Sequence, residues 1–173
     1  MTTSREMVLI GGVVKALKDR GSWTGETHIQ KAAYIAKVRR NIPFESEFVL
    51  YKHGPFSFDM SKSIVHMLSR GLLYTENNPG YGPSFRVSDS LWKALNTRLD
   101  SFYSQFEAGI SSVSSALARK NVAELERVAT AVYVMSNFSN FSLEEQAKTI
   151  AKLKPHIAQE MALGALREAE LIR

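Results

Sequence analysis

Apolar residues recur along this chain at changing periods, and each change of period marks an element. Residues 6–20 carry Met7, Ile10, Val14 and Leu17 at helical spacing, with Gly21 following as a natural C′ residue. A second helix begins near Thr24 to Thr27 and runs to about Arg40. Thr27 and Gln30 have capping-box spacing, and Thr24 is the alternative cap. Ile29, Ala32, Ala33 and Ala36 form one face of this helix, widened by Tyr34, Ile35 and Val38. Such small residues predict close packing against another element. Phe48-Val49-Leu50-Tyr51 reads as a short strand. A structural turn, His53-Gly54-Pro55, follows it, because Gly54 accepts a positive φ and Pro55 biases Gly54 away from the α region.

Ser57 or Asp59 opens a third helix reaching about Arg70, with Met60, Ile64, Met67 and Leu68 as its buried stripe and Gly71 as its stop. Residues 72–88 predict a hairpin, with strands 72–76 and 84–88 around a tip, Asn77-Asn78-Pro79-Gly80-Tyr81-Gly82-Pro83, dense in turn formers. Two helices, a short strand, a third helix and a hairpin give the order of a winged helix. Beyond Ser88, an apolar seam runs from Leu91 through Leu95, Leu99, Phe102, Phe106, Ile110 and Val113 to Leu117. One helix of about 30 residues accounts for the seam, and so does a helix interrupted near Gly109. Further helices are predicted over Val122 to about Asn137, from the capping box Ser142-Leu143-Glu144-Glu145 to Lys154-Pro155, and from about His156 to Leu171. The expected fold is α+β and mainly helical. Residues 1–88 form a winged-helix-like part, and residues 89–173 a helical bundle packed on it.

Composition narrows the chemistry. At 173 residues the chain suits one unit with a sizeable core. It has no cysteine, which removes disulfides, thiolate nucleophiles and sulfur-ligated metals and is consistent with a cytoplasmic setting. The longest run without charge, residues 128–143, has 16 positions and includes several Ser and Asn, against about 20 apolar residues for a membrane span. The apolar run Met7 to Val14 follows Arg5-Glu6 and lacks a cleavage pattern, so it reads as a core-facing helix and not a leader.

The net charge of +5 is unevenly spread. Residues 1–45 hold eight Lys or Arg against four Asp or Glu, residues 46–88 four against three, and residues 89–173 ten against ten. The excess lies in the first 88 residues and clusters at Lys31, Lys37, Arg39 and Arg40. Such asymmetry marks either a face that meets nucleic acid or an acidic protein, or a solvated helix face.

Taken in order, Gln30-Lys31 with Tyr34, a strand leading into His53-Gly54-Pro55-Phe56, and a helix ending at Gly71-Leu72-Leu73 resemble the Panacea domain, the antitoxin SocA-like group. Ala129-Thr130 with Tyr133, then Leu153-Lys154-Pro155 leading to Ile157 and Ala165, is similar to the C-terminal part of its YwgA-like prokaryotic relatives. The likeness extends from about residue 7 to residue 170. His53 stands where an aromatic residue commonly precedes the Gly-Pro pair. The resemblance implies a winged-helix-derived module without catalytic chemistry, and for several members a toxin as protein partner.

As a recognition helix, residues 57–70 would present Asp59, Lys62, Ser63, His66 and Arg70, and the hairpin would add Arg86. Asp59 opposes phosphate, and the 16 residues from Arg40 to Ser57 exceed a helix-turn-helix connection. The four histidines, at 28, 53, 66 and 156, lack metal-ligand spacing, so no metal and no cofactor is expected. In a triad built from Ser63, His66 and Asp59, the carboxylate would lie about 10 Å along the axis from the imidazole, so no catalytic residue is assigned. Lys31 and Tyr34 either form a contact for a partner, or pack with the lysine snorkelling over the ring. The reading that results is a non-enzymatic, antitoxin-like or regulatory module engaging a protein partner. The alternative is a winged-helix DNA-binding regulator. The seam from Leu91 to Leu117 leaves two arrangements open: a homodimer through it, or internal cover by the helices after residue 122.

Overall fold

In the computed structural model, which describes residues 2–77, 79–80 and 82–172, Thr3 accepts the amide of Glu6 and starts helix α1, Ser4–Asp19. Asn78 and Tyr81 of the predicted hairpin tip lie outside those residues. Helix α1 is not one-faced. Val8, Leu9, Ile10, Val13, Val14 and Leu17 are all buried, whereas Met7 from the predicted stripe is only partly so. Gly11 and Gly12 sit mid-helix because Trp92 and Tyr103 press on them. A Cβ there would stand 2.5 Å and 2.0 Å from those rings.

Helix α2, Glu26–Arg40, starts from Gly25 without a side-chain cap. Neither predicted cap acts as one. The Thr24 hydroxyl donates to the Phe85 carbonyl, and Gln30 turns inward. Strands β1, Val49–Tyr51, and β2, Gly54–Phe56, form an antiparallel hairpin closed by Lys52 and His53, with Tyr51 opposite Gly54. Ser57 then accepts the Met60 amide and caps α3, Phe58–Ser69. Strands β3, Leu73–Glu76, and β4, Ser84–Val87, make the second hairpin, and the Phe85 amide donates to Thr24.

The seam after Ser88 is not one helix: it is interrupted, and the break lies ahead of Gly109, between Arg98 and Glu107. Helix α4, Asp89–Arg98, gives way to a 3-10 turn, Phe102–Gln105, and then to α5, Glu107–Leu117. Asp100 and Ser101 take positive φ at the break, and the Asn96 side chain accepts the Tyr103 amide. Helices α6, Val122–Asn137, and α7, Leu143–Leu153, open on reciprocal capping boxes at Asn121/Glu124 and Ser142/Glu145. Helix α8, Gln159–Leu171, starts three residues beyond His156, where an Ala158 N-cap follows the Ile157-to-Lys154 backbone turn.

The fold is α+β and mainly helical, with two small two-stranded sheets among the described residues. Helices α1 and α2 pack on α5, α2 also packs on α6, and α6, α7 and α8 pack together. The buried cluster takes residues from both halves of the chain. Among the described residues no helix is long and apolar enough to cross a membrane.

Candidate functional site

The sequence motifs meet at the β1–β2 hairpin. On α2, successive side chains reach the same stretch of backbone. Gln30 pairs with Ser57 in both directions, donating to its carbonyl at 2.9 Å and accepting its amide at 3.0 Å. Lys31 donates to the Pro55 carbonyl at 2.8 Å. It is 1% exposed, so it neither snorkels to solvent nor offers a surface contact. Burial pushes its ammonium down to about 8, helped by nearby Lys154 and opposed by Glu126. Tyr34 packs inward against Phe48, with ring centroids 5.3 Å apart.

The far side of the hairpin is gripped by the C-terminal half. Buried Lys154, at the C-cap of α7, donates to the carbonyls of Tyr51 and Lys52. Glu126 of α6 is buried beside it at 3.8 Å, and receives the exposed imidazoles of His156 at 3.1 Å and His53 at 3.8 Å. Gly54 has φ +85°, and a Cβ there would stand 3.1 Å from the Thr130 hydroxyl. Only glycine allows both the turn and the approach to α6. Lys31, Lys154 and Glu126 thus form a charged knot that fixes the hairpin. Two ammonium groups beside one carboxylate oppose a cation, and no group of three or more His, Asp or Glu among the described residues is arranged to hold a metal.

The outer face of the same hairpin is apolar. Val49 and Tyr51 alternate outward, Tyr51 being 52% exposed. Its ring packs against Phe56 and Phe58 at 5.7 and 5.3 Å, and those two stand 5.1 Å apart. Phe58, on the first turn of α3, is also 52% exposed. Sequence reasoning missed this platform. Its signal was an apolar strand continuing into Phe56 and Phe58 across a hairpin that has only two strands.

The basic cluster, by contrast, is engaged internally and does not form a free cationic face. Lys37 donates to the Ser46 carbonyl and pairs with Glu47 at 3.1 Å. Arg39 donates to the Ala169 carbonyl at 3.0 Å, and Arg40 to the Ser112 hydroxyl. On α3 the outward face is Phe58, Lys62, Val65 and Ser69, because Ser63 is buried and His66 half-buried. Lys62 pairs with Asp59 at 3.2 Å, and Arg86 with Glu76 at 2.6 Å. Arg70 is exposed at the C-cap of α3. The serines around α3 serve its structure: Ser57 caps the helix, Ser61 donates to Glu26, and Ser63, the serine beside His66, donates to the Asp59 carbonyl. No protein-family model matches the chain, and no curated protein does.

Proposed function

We propose that the chain is a non-enzymatic, cytoplasmic binding module of the antitoxin-like kind, which holds a protein partner on the Tyr51–Phe56–Phe58 platform. The observation that carries this reading is the pairing of exposed aromatic rings with a hairpin fixed from beneath by Gln30, Lys31 and Lys154. Rigid aromatic anchors contribute most of the energy at protein interfaces, and a preorganised support reduces the entropy lost on docking. The convergence of Gln30-Lys31, Gly54-Pro55, Thr130 and Lys154 on one hairpin supports the likeness to the Panacea domain.

Native co-purification with the tagged full chain and its Tyr51→Ser/Phe58→Ser twin tests the reading. One stoichiometric protein retained by the parent and reduced by about tenfold or more with the twin is the expected result. Equal capture by both chains sinks it. The winged-helix regulator would need phosphate contacts that Lys62, Arg86 and the α2 cations, already paired, supply poorly. Duplex binding whose affinity falls with log salt at a slope of about −0.9 per contact, weakened by Lys62→Ala and Arg70→Ala, would favour it instead.

A further inference from the structure

At the other end of α3 lies a second feature, a groove of about 330 Å³ whose lining includes Met7, Arg70, Leu72, Leu91, Leu95 and Arg98. Helix α4 explains why it stays open. Trp92 anchors that helix inward, its indole donating to the Val8 carbonyl at 3.0 Å while its ring packs edge-on to Tyr103. The face turned by one residue, Leu91, Ala94, Leu95 and Arg98, follows helical spacing and belongs to the groove. No residue of α4 is fully buried, and Leu91 is 47% exposed. An apolar helix face is therefore left without cover.

The charges say what would cover it. Arg70 and Arg98 are exposed, and among the described residues neither guanidinium has an ion-pair or hydrogen-bond partner. Arginines at helix C-termini complement the helix dipole, which accounts for their positions but not for the open apolar floor they share. Two unpaired cations beside leucines and a methionine match a ligand with apolar and acidic groups on one face.

We infer that the groove receives an acidic amphipathic helix of the protein partner, with apolar side chains over Met7, Leu72 and Leu91 and carboxylates at Arg70 and Arg98. The inference rests on the binding-module reading. Phe58 and Val65, seven residues apart on the exposed face of α3, lead from the platform toward the groove, and the helix spans about 18 Å. One partner can engage both ends.

The test uses two labelled synthetic peptides of about 18 residues with leucines at i, i+3, i+4 and i+7, one flanked by Glu and its twin by Lys. Fluorescence anisotropy with the full chain should show the Glu peptide binding at least about tenfold more tightly than the Lys peptide. Arg70→Glu with Arg98→Glu should reverse that order, and Leu91→Asp should weaken both peptides, with thermal melts confirming that each variant is folded. Equal affinity for the twins overturns the inference, as does the absence of saturable binding at up to about 1 mM peptide. So does saturation of the groove by decanoate alone, read on the Leu91 and Leu95 methyl resonances. Tyr51→Ser/Phe58→Ser should leave peptide binding unchanged. Failure here with platform-dependent capture intact sinks only the groove, and the converse sinks only the platform.

Discussion

Lys31 is the residue whose sequence reading and structural role differ most. As one of a basic cluster it looked like a surface cation. In the fold its ammonium is buried against Pro55, and burial lowers its proton affinity to about 8 from an ordinary 10.5. Between those values the unfolded chain holds a proton that the native state has released, so stability rises with pH across that window and the cost is fully present below it. From about pH 7 to about pH 9.5 the gain is about 2 kcal/mol. Denaturant titrations of the parent and Lys31→Met should show that rise in the parent and not in the variant. Parallel profiles would show that Lys31 is not the source. Above about pH 10 the sign reverses. Burial raises the phenols of Tyr34 and Tyr103, the latter to about 12, so they stay protonated while their unfolded counterparts ionise. The Gln30-Lys31 and Gly54-Pro55 motifs were legible as positions. Their partnership was not, because residues 24 to 27 positions apart in sequence meet only through the tertiary path of the hairpin.

At the scale of elements, legibility followed local chemistry. The capping box read at Ser142-Leu143-Glu144-Glu145 forms from neighbouring residues, as does a second, unread box at Asn121/Glu124, and the bounds of α6 and the start of α7 agree with the pattern. The seam misled because Phe102 and Phe106 keep helical spacing across a 3-10 turn and pack together at 5.0 Å. Its break depends on Asp100 and Ser101 at positive φ, a conformation that Asp favours only weakly beside glycine and that Ser does not signal at all. The break divides the seam energetically. Ile110, Val113 and Leu117 on α5 are buried, whereas Leu91 on α4 faces the groove. Ile110→Ala should therefore cost about 3 kcal/mol, and Leu91→Ala less than about 1 kcal/mol. Equal losses in paired denaturant titrations would mean that α4 is covered as fully as α5. A homodimer through the whole seam no longer fits, since its α5 half is already occupied within the chain.

For the whole molecule, the question is whether residues 1–88 form a unit that the rest merely decorates. The packing argues otherwise. Val8 to Leu17 of α1 and Ile29 to Ala36 of α2 are buried on several sides, and the partners on two of those sides are α5 and α6. The β1–β2 hairpin is held from the C-terminal half by Lys154, while Gly54 rests on α6 at Thr130. Arg39 and Arg40 also reach across, to Ala169 and Ser112. Cutting after Ser88 would expose apolar faces of both α1 and α2 and leave Lys31 without Glu126. A domain is only marginally stable as a whole, by about 5–15 kcal/mol, so a fragment deprived of those faces has no margin left. The full chain should unfold in one cooperative transition by circular dichroism and tryptophan fluorescence, and the 1–88 fragment should show no cooperative melt. A fragment that melts cooperatively near the temperature of the full chain would make the N-terminal part an independent domain. The β1–β2 hairpin would then keep its shape without α6 and α7, and the charged knot at Glu126 would no longer explain its rigidity.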